Sequence, residues 1–199
     1  MPPPVAFADW RSQIGFDGKA LPAAWPRQPP SASVHAPRQP LRRVRITAKV
    51  DYAVRAAAEL AAHASVHGVR APMKGEAVAT AQGIPVRFLE SILSELRRSG
   101  IVGSQRGSDG GYWLARPADE VSVADIIRAV EGPLADVHGT PPEEVAYEGA
   151  AAALQRVWIA TRVSLREVLE ATTLADIAAD SLPDDVVARA ERPDGWARR

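Results

Sequence analysis

With 199 residues and 46% apolar composition, the chain has material for one good core and a smaller accessory element, not for two full domains. Its 24 basic and 24 acidic residues cancel, which excludes a wholly basic protein that coats nucleic acid and confines any DNA contact to a local patch. The lack of cysteine excludes disulfides, thiolate nucleophiles and thiolate metal sites.

No apolar run reaches the roughly 18 residues of a spanning helix, and residues 1–20 lack the basic start and apolar block of a signal peptide. The expectation is a soluble, cytoplasmic protein without membrane contact. Nine of the 17 prolines fall in the first 40 residues, among Gly, Ser, Gln and Arg. No period survives there, so residues 1–43 are expected to be a disordered, Pro-rich extension.

Order is expected from about Val44. Val50, Tyr52, Ala53, Ala56, Ala57 and Leu60 form a helical stripe that predicts a first helix ending near Gly68. Lys74 to Ala81 predicts a short helix stopped by Gly83, and Pro85 suits the first turn of the next. In that next helix Phe88, Leu89, Ile92, Leu93 and Leu96 are assigned to one face, and Arg87, Glu90, Ser91 and Ser94 to the other. Gly100 ends it, and Ile101 to Arg106, a glycine-rich tip and Tyr112-Trp113-Leu114 predict a hairpin.

Ser122 with Asp125 predicts a capped helix from Val123 to Glu131, stopped by Gly132-Pro133. A loop over 133–147 follows. Leu154, Trp158, Thr161, Leu165 and Val168 are spaced four, three, four, three, a heptad seam on a long helix expected over 148–170. Thr173 and Asp176 cap a short last helix, closing a dimerisation segment over 148–180, and residues 181–199 are expected to be a flexible tail.

The order helix, turn, helix, glycine-tipped hairpin over 44–132 is that of a winged helix-turn-helix, giving a mainly α fold with a small two-stranded wing and a long C-terminal dimerisation helix. The second helix of the pair is the one that enters the major groove. Its polar face offers Arg87 to phosphate or guanine, Glu90 to a cytosine amino group, and Ser91 to either. Arg106 beside Gly107 is a cation on a tip thin enough for the minor groove. Arg97 and Arg98 suit the negative end of the helix as well as they suit a phosphate. His63 and His67, four apart, read as two half-exposed histidines at a helix end rather than as a metal pair, and Trp113 as packing beneath the wing.

Leu89-Glu90, Arg97 to Val102, Arg106 to Tyr112, Thr47-Ala48-Lys49 with Asp51-Tyr52-Ala53, and Ile126 to Gly132 together resemble the Rrf-two (Rrf2) family of bacterial regulators over about 44–179. The resemblance implies a homodimer joined through the long helix, with Leu154, Trp158, Thr161, Leu165 and Val168 at the interface. It implies double-stranded DNA as partner, contacted by Arg87, Glu90, Ser91, Arg106 and Gly107, with Thr47 and Lys49 at the start of the first helix. Sensing members hold an iron-sulfur cluster on three cysteines between the capped helix and the long helix. Here that segment offers only His138, Glu143, Glu144 and Glu148, and Asp51 and Arg55 stand where one branch uses Glu and His. No cluster and no other cofactor is expected.

Glu131-Gly132-Pro133 and the Trp158 to Leu174 region resemble the cluster-less, CymR-like branch, which implies a protein or small-metabolite effector. Because family members start near the equivalent of Val44, residues 1–43 are also readable as an upstream extension. The functional expectation is a sequence-specific repressor binding a pseudo-palindromic operator as a dimer. A winged-helix interaction module with little DNA affinity is the alternative. An enzyme is not expected, for the sequence pairs no nucleophile with a base and has no phosphate loop and no metal triad.

Overall fold

Thr47 opens the first helix, its side chain accepting a hydrogen bond from the Val50 amide at 3.2 Å. The structure is a computed structural model that describes residues 46–193 and 195–196; the expected arm over 1–43 lies outside the described residues. Helix α1, Ala48–His67, buries Val50, Ala53, Ala56, Ala57, Leu60 and Ala61. Four of those six are alanines, so other elements approach its backbone closely. It touches α2 (Gly75–Gln82), α3 (Val86–Arg98), α4 (Val123–Glu131), α6 (Leu174–Ala178) and strand β2 (Gly111–Leu114).

Gly83 takes the left-handed conformation that ends α2, at φ 61°. Pro85, at φ −60°, then precedes α3, whose Leu89, Ile92, Leu93 and Leu96 are buried. Phe88 departs from the expected buried face and is 50% exposed. It stands one residue, about 100° of helix, before Leu89, and so falls at the margin of the stripe. There its ring meets Tyr52 of α1 edge-on at 5.9 Å.

Strands β1 (Val102–Gln105) and β2 pair antiparallel with Val102 opposite Leu114 and Gln105 opposite Gly111. Met73 exchanges two backbone hydrogen bonds with Tyr112, at 2.9 and 2.8 Å, as a one-residue third rung. Trp113 packs across Gly103, where a Cβ would come within 2.5 Å of its ring.

Both expected capping boxes form, Ser122 with Asp125 and Thr173 with Asp176. The two caps are themselves bridged: the Val123 amide donates to Thr172 O and the Leu174 amide to Val121 O, each at 2.9 Å. This stitch carries Leu174 into the core beside Leu60, Ile126 and Val121, all at 1% exposure or less. A buried leucine contributes about 1.5–3 kcal/mol, so α6 belongs to the core of the first helices.

The long helix α5, Leu154–Leu169, is shorter than the spacing predicts, with a 3₁₀ turn over Gly149–Ala151 before it. Gly149 at φ 58° breaks the helical path. The preceding loop carries its own order. His138 and Gly139 take positive φ, 57° and 82°, and Val137 and Thr140 exchange hydrogen bonds around them. Where the sequence reading leaves a tail, α7 spans Asp184–Ala190. Pro183 before it and Asp184-Asp185 in its first turn favour a helix start, and Arg189 pairs with Glu167 of α5 at 3.0 Å.

Candidate nucleic-acid interface

Burying Leu89, Ile92, Leu93 and Leu96 turns Arg87, Glu90, Ser91 and Ser94 outward, and all four are exposed. The side chains of Arg87 and Arg98 carry no hydrogen bond or ion pair to any described residue. Arg97 reaches from the end of α3 to Ser104 of β1 at 3.4 Å, joining helix and wing.

Arg106 is exposed at the first position of the wing tip and has no partner among the described residues. The tip beneath it is held firmly. Gly107 takes φ 108°, reached without strain only by glycine. A Cβ on Gly110 would overlap the Gln105 carbonyl, and one on Gly111 would stand 2.5 Å from Met73 O. Lys74 donates to Gly107 O at 3.2 Å and to Ser108 O. Wing and helix bound a cleft of about 280 Å³ whose lining includes Lys74, Glu76, Val86, Glu90, Gln105 and Gly107. Glu90 and Gly107, chosen on different elements, thus share one groove.

Thr47 and Lys49 sit differently. Thr47 caps α1 and donates to Glu131, while Lys49 donates to Val130 O at 2.7 Å and pairs with Glu95 at 2.7 Å. Their polar groups lock α1 to α3 and α4. Three residues without an assigned role at the interface come to the fore. Lys74 has no legible signal, because its partners are carbonyls 33 and 34 residues away. Val86 and Phe88, 45% and 50% exposed on α3, are apolar groups of the kind that meets a thymine methyl, and only the 100° step could have marked Phe88.

On α5 the seam residues Leu154, Trp158, Leu165 and Val168 are half-buried by their own chain and Thr161 is exposed. Trp158 Nε1 donates to the Tyr147 hydroxyl at 3.1 Å. Val157, beside the seam, is 51% exposed. His63 and His67 stack with ring centroids 4.3 Å apart. Among the described residues no group of three His, Asp or Glu stands ready for a metal ion.

Residues 46–180 match the model of a family described as Rrf2, an iron-dependent transcriptional regulator. The chain is similar to the putative HTH-type transcriptional regulator Rv1287 of Mycobacterium tuberculosis, 47% identical over 148 residues, which is 74% of this chain and 89% of the relative. Among solved structures it is similar to CymR, the global cysteine regulator of Bacillus subtilis, at TM-score 0.58 and 34% identity, covering 69% of this chain and 98% of that one. It is also similar to T. potens IscR, at TM-score 0.55 and 32% identity over 69% and 88%.

The iron in the family description finds no thiolate donor here. The sequence has no cysteine, so a thiolate-held cluster has no ligand. Asp51 and Arg55, on α1, pair with each other at 3.1 Å, and Arg55 also binds Gln82 and lies 5.5 Å from the Tyr52 ring centre.

Proposed function

This chain belongs to the Rrf2 family of transcriptional regulators, and we propose that it acts as a cytoplasmic homodimeric repressor that binds a pseudo-palindromic operator without an iron-sulfur cluster. The observation that carries this reading is the pairing of an outward polar face on α3 with an unpartnered arginine on a braced wing. The α3 face suits a major groove about 12 Å wide, and Arg106 suits the adjacent minor groove. Arg87, Glu90 and Ser91 read base edges or phosphates, and Gly107 lets the wing backbone approach closely. Thr47 and Lys49 contribute by fixing the start of α1 against α3 and α4.

The dimer forms through α5. No residue of that helix is fully buried, and Val157 and Thr161 beside the half-buried Val168 leave a margin that one copy does not cover. Two such copies present recognition helices to half-sites about one helical turn, roughly 34 Å, apart. The relatives' regulator names favour this reading over an interaction module that has lost DNA affinity. Catalysis is no part of it.

The test is fluorescence anisotropy on duplex DNA from the gene's own upstream region and on a scrambled duplex, at two salt concentrations. Tighter binding to the upstream duplex, weakening with salt and weakened again in Arg106→Ala, is expected. Equal binding to both duplexes, unaffected by the substitution, overturns the reading.

A further inference from the structure

Below the 133–143 loop lies a cavity of about 370 Å³ with Arg128 of α4 and Arg162 and Arg166 of α5 in its lining. Three guanidinium groups converging on one cavity is an unusual concentration in a chain with no net charge. Two of them are held by Glu170, which binds Arg128 directly and Arg166 at 3.8 Å. Asp125 approaches Arg128 at 3.7 Å.

Arg162 is different. One terminal nitrogen pairs with Glu143, but its Nε is shut off from solvent and has no acceptor among the described residues. Its side chain is 16% exposed. Leaving a buried charged donor unpaired is costly, and the Nε edge of arginine is one that grips a carboxylate or phosphate through parallel hydrogen bonds.

The acidic groups lining the cavity are already engaged. Glu143 is matched to Arg162, and its carboxyl is held below the usual range by its own backbone amide first and Arg162 second. Asp136 accepts the Gly139 amide at 2.7 Å, bracing the tight turn at His138-Gly139. Gln155 of α5 binds Glu143 O at 3.1 Å, so Glu143 is fastened to α5 through both its backbone and its side chain.

We propose that this cavity binds the carboxylate or phosphate of a small metabolite, with Arg162 as the primary contact and Arg128 and Arg166 supplying the surrounding positive field. A volume of about 370 Å³ lies near the lower end of the range for small-molecule sites, roughly 300–1,000 Å³, and suits a compact oxyanion rather than a nucleotide. The site joins the end of α4 to the middle of α5, the helix through which two copies are proposed to meet. It therefore gives the proposed regulator an effector site, and in that respect rests on the regulator reading.

The experiment is thermal unfolding of the full chain with inorganic phosphate, succinate or L-glutamate at matched ionic strength, alongside Arg162→Met, Arg162→Lys and Arg106→Ala. At least one probe is expected to raise Tm by about 3 °C at saturating concentration; phosphate alone assigns a phosphorylated metabolite, and a carboxylate alone assigns an organic acid. Arg162→Met is expected to lose the shift. Arg162→Lys, which keeps the charge and so guards against a folding failure, is expected to weaken binding at least tenfold because a single ammonium lacks the planar fork of the guanidinium. No shift with any probe, or a shift unchanged in Arg162→Lys, overturns the proposal. Arg106→Ala should keep the shift while weakening duplex binding, so failure of the effector site and failure of the DNA reading give different results.

Discussion

Lys49 in the first turn of α1 pairs with Glu95 near the end of α3 at 2.7 Å, and the same ammonium donates to Val130 O of α4 at 2.7 Å. One side chain thus fastens three helices at the base of the recognition helix. Lys49→Met removes both interactions while keeping most of the apolar stem. With the lysine one-third exposed and the glutamate less so, the loss is expected to be about 1–2 kcal/mol, a fall in Tm of about 4 °C. A melting curve identical to the parent chain's would mean that packing alone positions α3.

Arg106→Ala and Arg87→Ala should differ in kind. Loss of the wing cation is expected to reduce the salt slope of binding by about one and to weaken upstream and scrambled duplexes together. Arg87→Ala should erode discrimination between them if it reads guanine, and act like Arg106→Ala if it holds phosphate. Salt titrations of the three proteins separate the cases.

Glu90 lines the cleft between wing and helix, and in the proposed complex its carboxylate accepts from a cytosine amino group. Glu90→Gln is expected to relax preference at one base pair per half-site by about 1–3 kcal/mol, read by competition with single-substitution duplexes. Uniform loss across all positions would instead make Glu90 a structural residue.

Gly111 has no room for a side chain, since a Cβ would meet Met73 O at 2.5 Å. Gly111→Ala should push the wing from the Met73 rung and cost about 1–3 kcal/mol. Hydrogen exchange at the Tyr112 amide, which donates to Met73 at 2.8 Å, reports the opening directly. Protection equal to the parent chain's would show that the strand shifts without loss.

Val157 and Thr161 lie on the uncovered side of α5. The double substitution Val157→Lys with Thr161→Lys places like charges across a self-complementary contact, so gel filtration is expected to show a monomer with an unchanged circular-dichroism spectrum. Persistence of the dimer would move the interface to another face.

Much of the recognition unit was legible because its signals are local. Gly83 and Pro85 delimit the turn, Leu89, Ile92, Leu93 and Leu96 lie at helical spacing, and Ser122 and Thr173 each stand three residues before an aspartate. Phe88 was misplaced because a periodic stripe has soft edges, and residues at its margin are assigned by the neighbour they meet, here Tyr52. The helix at Asp184–Ala190 falls in the segment expected as tail, although Pro183-Asp184-Asp185 marks a start. A seven-residue helix is too short to show a period, and its tie to Glu167 is not local.

The amino-acid sequence by itself determined the order of elements, the outward face of α3, the arginine on a glycine tip and the lack of any thiolate. These follow from side-chain size, φ restriction and donor chemistry, each decided within a few residues. Only the tertiary structure decided that Lys49 fastens helices, that Lys74 braces the wing, that the two capping boxes are bridged and that Arg128, Arg162 and Arg166 share a cavity. Such juxtapositions depend on chain segments tens of residues apart packing on one core, and no spacing along the chain encodes them.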